Sequence, residues 1–332
     1  MRSSPGKKPV ARFFGIITGR VRLWMLVLLV VGLAGPTGAF LSDIQNKDAV
    51  KVSLDERSPV AQLRQVNDPV PPEGEVLRVA IAGVLSPTST LEHYQELLTF
   101  LGQRLGRRIT LVLRPTYSEI YDLVKGKQVD VAFVCTLVYV KGNEDFGMEL
   151  LVAPQMRGET VYYSYLIVPV DSSATSLSDL QNEDFAFTDP LSNTGYLVPI
   201  YNLYLLGEKP NSFFRKYTFT YSHDNSITAV ADRLLDGAAV DSLVYEQMRV
   251  SKPQLITKTK IIARWGPYGI PPVTVNPTID GRLKQQLRDT FLGLHESADG
   301  KAILSSLGID RFVAVSDGNY ESVRQMIREL GW

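Results

Sequence analysis

The sequence is poor in the side chains that most often carry chemistry. Of 332 residues, one is cysteine and three are histidine. A single cysteine, Cys135, can form neither an internal disulfide nor a thiolate metal cluster. Following the apolar run Val131-Ala132-Phe133-Val134, it reads as a small buried hydrophobe. His93 and His295 fall on expected helices without metal-ligand spacing. Charge of one sign is also missing, since 35 basic and 35 acidic residues cancel. That excludes the global basic field of a nucleic-acid binder. There is no Gly-x-Ser-x-Gly elbow, P-loop or Gly-x-Gly-x-x-Gly turn. Ser192, His223 and Asp224 are the residue types of a nucleophilic triad, but without the elbow no enzyme is expected. Nor is any cofactor or metal.

The first forty residues are of another kind. Met1 to Arg22 holds no acid, whereas Arg2, Lys7, Lys8, Arg12, Arg20 and Arg22 are basic. From Leu23 the chain is apolar, with no charge before Asp43. A basic head followed by such a run directs a chain to a membrane, head inside. Thr37-Gly38-Ala39 offers a cleavage site before Phe40. The stretch Leu23 to Ser42 also approaches the ~20 residues that span a bilayer. A cleaved signal and a retained inner-membrane anchor therefore both stay open for residues 1–42. No cysteine follows the run, which excludes a lipoprotein anchor; in either case the body is exported. Residues 43–75, ending in Pro69-Val70-Pro71-Pro72, read as an extended, solvated stalk.

Beyond the stalk, strand and helix patterns alternate. Strands are expected at Glu75 to Ala82, Ile109 to Leu113 and Val129 to Val134. Helical spacing of Leu91, Tyr94, Leu97, Leu98 and Leu101 lies between the first two. Alternation of this kind predicts a parallel α/β sheet with crossovers. Strands around Leu150 to Ala153 and Tyr162 to Val170 leave this first lobe. Ile261 to Trp265 and Pro271 to Val275 return to it, and the tail is helical. The length suits two lobes, expected as residues 76–167 with 264–332, and 168–263.

The stretch Thr188-Asp189-Pro190-Leu191-Ser192-Asn193-Thr194-Gly195 sits where a strand, Phe185-Ala186-Phe187, hands over to a helix with Leu197, Ile200, Tyr201 and Tyr204 at helical spacing. Ser192, Asn193 and Thr194 suit capping. Gly195 would let a ligand approach the backbone. A helix start carries free N–H groups and the positive end of the macrodipole, so it attracts an anion. With no lysine or arginine in the stretch, a small oxyanion held by neutral donors fits better than a polyphosphate.

The series Tyr117-Ser118-Glu119-Ile120, Val129 to Phe133, Asp189 to Pro199 and His223-Asp224-Asn225 resembles the periplasmic phosphate/phosphonate-binding components of ABC transporters, from about Leu77 to Leu330. The Asp-Pro-x-Ser-x-Thr-Gly-Tyr-Leu-Val-Pro element is the most specific part. The resemblance implies a two-lobed, type II periplasmic-binding-protein fold that closes on its ligand, with ABC permease and ATPase subunits as partners. It implies that Ser192, Asn193, Thr194 and His223 hold phosphonate oxygens, with Tyr117 and either Tyr162 or Tyr163 beside them. Glu246 falls near an acid that holds the amino group of aminophosphonates. A second such acid is missing from the turn Gly266 to Pro272, which favours phosphate, phosphite or an alkylphosphonate. The middle of the triplet is Asn193 where Ser or Thr is usual.

Protonated, His223 would supply the absent positive charge and make affinity fall above neutral pH, its ordinary pKa being ~6.5. Asp241 at a strand end, Thr136 and Tyr139 are expected to line the cleft, while Asp130 reads as a structural turn acid. If residues 23–42 stay in the membrane, the same domain could instead report ligand to a membrane kinase or other membrane partner.

Overall fold

The structure is a computed structural model that describes residues 50–53, 76–83 and 87–332. The segment read as signal or anchor, 1–42, and most of the stretch read as a stalk lie outside the described residues. Among the described residues no helix is long and apolar enough to cross a membrane.

Strands follow in chain order as β1 (Val50–Ser53), β2 (Val76–Ile81), β3 (Arg108–Leu113), β4 (Val131–Phe133), β5 (Glu149–Gln155), β6 (Val161–Pro169), β7 (Asp184–Phe187), β8 (Lys216–Phe219), β9 (Gly237–Asp241), β10 (Thr259–Gly269), β11 (Val273–Val275) and β12 (Arg311–Val313). The helices that matter for the site are α1 (Pro87–Leu105), α2 (Tyr117–Lys125), α3 (Thr136–Phe146), α4 (Val198–Leu205), α5 (His223–Ala231), α6 (Ser242–Ser251) and α7 (Gly281–Leu292), with α8 (Ala298–Ser306) and α9 (Glu321–Leu330) in the tail.

Two sheets result, ordered β1-β3-β2-β4-β11-β5-β12 and β10-β6-β9-β7-β8. Each is mixed rather than parallel throughout. β2 runs parallel to β3 and β4, but β11 is antiparallel to β4 and β5. In the second sheet β7 runs parallel to β8 and β9, while β6 is antiparallel to β9 and β10. The antiparallel strands are those that enter or leave a sheet, where the chain reverses instead of crossing over a helix. Val50–Ser53, expected in the stalk, pairs antiparallel with β3. It covers backbone groups that would otherwise form an open edge.

Strand periodicity explains the cores. In β2, Leu77, Val79 and Ile81 face one apolar cluster and Ala80 the other. In the second sheet Phe185 and Phe187 of β7 point to one side and Ala186 to the opposite side. Successive side chains of a strand alternate faces, and both faces here are covered, so the strands read as continuous apolar runs. Phe185 stacks on Phe214 with ring centroids 4.3 Å apart. At Asp130, read as a structural acid, the carboxylate takes N–H groups from the Arg78 backbone and guanidinium.

Candidate ligand-binding site

Five loops converge where strands of both sheets end. They follow β3 at Tyr117, β4 at Cys135-Thr136, β7 at Thr188 to Gly195, β8 at Ser222-His223 and β9 at Asp241. β6, running the other way, contributes its beginning, Tyr162 and Ser164. The mouths of open α/β sheets place ligands at such carboxyl ends.

The loop after β7 is shaped by its own short side chains. Asp189 Oδ1 accepts the Leu191 N–H at 2.8 Å, and Ser192 Oγ accepts the Gly195 N–H at 3.0 Å. Asn193–Leu197 forms one π-helical turn that leads into α4. Pro199 sits at the start of α4, where a missing N–H costs nothing. Gly195 has a different reason from the expected one. A Cβ there would lie 2.3 Å from Thr188 Oγ1, so glycine is required by close packing on Thr188.

His223 begins α5 and is 1 % exposed. Its Nδ1 accepts the Asp241 backbone N–H at 3.0 Å and lies 3.1 Å from Thr188 Oγ1. A ring nitrogen that accepts carries no proton, so the neutral tautomer keeps its hydrogen on Nε2. Burial pushes the imidazole down to about 3. The expectation of a cationic His223 is therefore corrected. The desolvated ring is neutral and does not titrate near neutrality.

Around it the structure gathers Tyr117, Thr136, Tyr162, Asn193, Thr194 and Asp241, all buried. Asn193 donates its backbone N–H to Cys135 Sγ at 3.3 Å and its Nδ2 to Tyr162 OH at 3.0 Å. Ser164 donates to the Thr194 carbonyl at 2.6 Å, and Thr136 to the Gly269 carbonyl at 2.8 Å. Asp189 reaches across with Oδ2 to accept the Tyr117 N–H at 3.1 Å. Asp241 caps α6 through the Leu243 N–H.

Several buried polar atoms on these loops have no partner: Tyr117 OH, Asn193 Oδ1, Thr194 Oγ1 and Ser222 Oγ. The fifth such atom among the described residues, His295 Nδ1, lies in the turn after α7. A buried unsatisfied group costs about 1–3 kcal/mol, and native interiors hold few. Three of the four are hydroxyls able to donate, and the fourth, Asn193 Oδ1, can only accept. Burial raises the Tyr117 and Tyr162 hydroxyls well above their ordinary range. It pushes the Cys135 thiol up to about 11. These groups keep their protons near neutral pH. Burial also raises Asp189, against the N–H groups of Leu191 and Tyr117, and brings Asp241 up to about 7 against backbone donors of α6.

Not every candidate joins. Glu246 lies on α6 with its carboxylate on Arg249, apart from the buried group. Between the two tyrosine candidates the structure separates inner from outer. Tyr162 is buried, whereas the Tyr163 ring lies under the Arg264 guanidinium at 3.5 Å. Tyr139 donates to Asp317 instead of facing the loops. Thr188, Asp189, Ser164, Ser222 and Cys135 were not among the expected site residues. Ser164 shares a strand face with Tyr162 two residues away, the one local signal that pointed to it.

A two-lobed α/β receptor with its buried polar groups at the meeting of two sheets is a type II solute-binding fold. Residues 79–320 match the family described as ABC transporter, phosphonate, periplasmic substrate-binding protein. The chain belongs to that family and is a periplasmic substrate-binding protein of the phosphonate ABC transporter type. It is 26% identical over 259 residues to the phosphonates-binding periplasmic protein of Escherichia coli K12, covering 76% of each chain. Its fold is similar to a binding-protein component of an ABC phosphonate transporter from Pseudomonas aeruginosa, with TM-score 0.72 and 23% identity over 76% of this chain and 85% of that one. PhnD1 from Prochlorococcus marinus, solved in complex with methylphosphonate, superposes with TM-score 0.70 at 19% identity, covering 77% of this chain and 98% of that one.

Proposed function

We propose that the chain captures a small phosphorus oxyanion (phosphate, phosphite or an alkylphosphonate) in this buried site without turning it over, and hands it to an ABC permease and its ATPase. The observation that carries the reading is the set of unpartnered buried hydroxyls at Tyr117, Thr194 and Ser222, beside a neutral His223 whose Nε2–H is available. An oxyanion accepts several hydrogen bonds at once, and bonds to an ionised acceptor are about twice as strong as neutral ones. Ser192, whose oxygen caps Gly195, retains its hydroxyl proton for the ligand. Contacts from both sheets favour the closed arrangement once the anion is present.

The lobes are proposed to divide at the links 156–160 and 270–272. These lie well outside the boundaries expected from the sequence, 167/168 and 263/264, because β6 and β10 pair fully within the second sheet. Export through residues 1–42, with or without anchoring, belongs to the same reading. A mature protein whose mass begins at Phe40 would establish cleavage. Calorimetry with phosphate, phosphite, methylphosphonate and 2-aminoethylphosphonate tests the capture. One of the first three should bind tightly, and binding should be lost in Ser192→Ala and His223→Ala. No heat with any of them would sink it.

A further inference from the structure

The chemistry at Asn193 narrows the ligand further, on the premise that the site captures an oxyanion. One hydrogen bond shows which way this amide points: Asn193 donates from Nδ2 to Tyr162 OH at 3.0 Å. Its other terminus, Oδ1, is turned away from Tyr162, in a side chain with no exposure and with no donor in reach. An amide oxygen can only accept. The site thus offers hydroxyl donors at Tyr117, Thr194 and Ser222, together with one acceptor.

We propose that Asn193 makes this site selective for an oxyanion that carries a P–OH hydrogen, as a phosphonate monoanion or a hydrogen phosphate does, with that group donating to Oδ1. A tetrahedral anion without a hydrogen sets an oxygen lone pair against Oδ1 and leaves it unpaired. The wrong anion is rejected as buried polar sites reject analogues lacking a required hydrogen, through a group left without a partner. The Ser or Thr usual in the family at this position carries a hydroxyl that rotates to donate or accept, and imposes no such demand.

Methylphosphonate and methanesulfonate, two tetrahedral methyl anions of which only the first carries a P–OH, test this by calorimetry on the full chain at pH 6. The wild type should prefer methylphosphonate by about 10- to 100-fold, the range of one unpaired buried polar group. Asn193→Thr should narrow that preference at least tenfold. A second measurement needs no variant. The ³¹P chemical shift of bound methylphosphonate should remain that of the monoanion at a pH where the free ligand is a dianion. Equal affinity of the wild type for the two anions would overturn the proposal, as would a dianion shift for the bound ligand or an unchanged preference in Asn193→Thr. Wild type that binds neither anion overturns the capture reading itself, and this selectivity with it.

Discussion

Asp189 ties the loop after β7 to the opposite sheet, and replacing it with asparagine separates closing from folding. Its Oδ1 accepts the Leu191 N–H at 2.8 Å within the loop, and Oδ2 accepts the Tyr117 N–H at 3.1 Å at the start of α2. Asparagine retains one oxygen, which keeps the Leu191 bond and the loop's turn. Its NH₂ then faces the Tyr117 N–H, donor against donor. A buried donor without an acceptor costs about 1–3 kcal/mol, equivalent to about 5- to 150-fold in affinity. The cost falls on the arrangement in which the lobes meet, since an open cleft lets water reach the Tyr117 amide. Asp189→Asn should therefore raise the Kd for the oxyanion about 10- to 100-fold while the ligand-free melting temperature falls by about 2 °C or less, the shift of a few tenths of a kcal/mol in a chain of this size. Calorimetry and thermal melts without ligand check both numbers. Unchanged affinity would refute the cross-sheet role. So would a loss of affinity accompanied by an equal loss of ligand-free stability, because Asp189 would then serve the fold alone.

Other consequences follow from the same geometry. His223, held near 3 by burial, stays neutral in the fold while the unfolded chain takes a proton below about 6.5. Its contribution to stability therefore declines as pH falls from 6.5 towards 3. Oxyanion affinity should show no His223-dependent titration between pH 6 and 8, as comparison with His223→Asn would reveal. Asp241 has the opposite sign. Its carboxyl, raised to about 7, is neutral in the fold where the unfolded chain is already ionised, so stability falls as pH rises from about 4 to 7. Asparagine caps helices as well as aspartate does, so Asp241→Asn should stabilise the protein by roughly 2–3 kcal/mol more at pH 8 than at pH 4. Equal melting shifts at the two values would contradict this. Gly195→Ala should push Thr188 away and weaken capture tenfold or more, read by calorimetry, because Thr188 lies against His223 Nδ1. Phe185→Ala, in the core of the second sheet, should cost about 3–5 kcal/mol in denaturant unfolding.

Local pattern made the α/β alternation legible, since apolar runs that end in capping residues record strand and helix in neighbouring positions. The turn from β7 into α4 was legible for the same reason. Ser192, Asn193, Thr194 and Gly195 lie together in the chain, and the bond from the Gly195 N–H to Ser192 Oγ closes within the loop, whereas those of Asn193 reach Cys135 and Tyr162. What the sequence could not contain is which partner each side chain meets across the fold. The charge of His223 looked open until a backbone N–H eighteen residues later took Nδ1 and burial removed water. Gly195 looked made for a ligand, yet Thr188 fills the space. Glu246 stood at a plausible spacing, but the helix turned it towards Arg249. Spacing along the chain determines faces and caps because those depend on near neighbours. Protonation, donor direction and access depend on burial and on residues far away in sequence, and only tertiary packing brings those together.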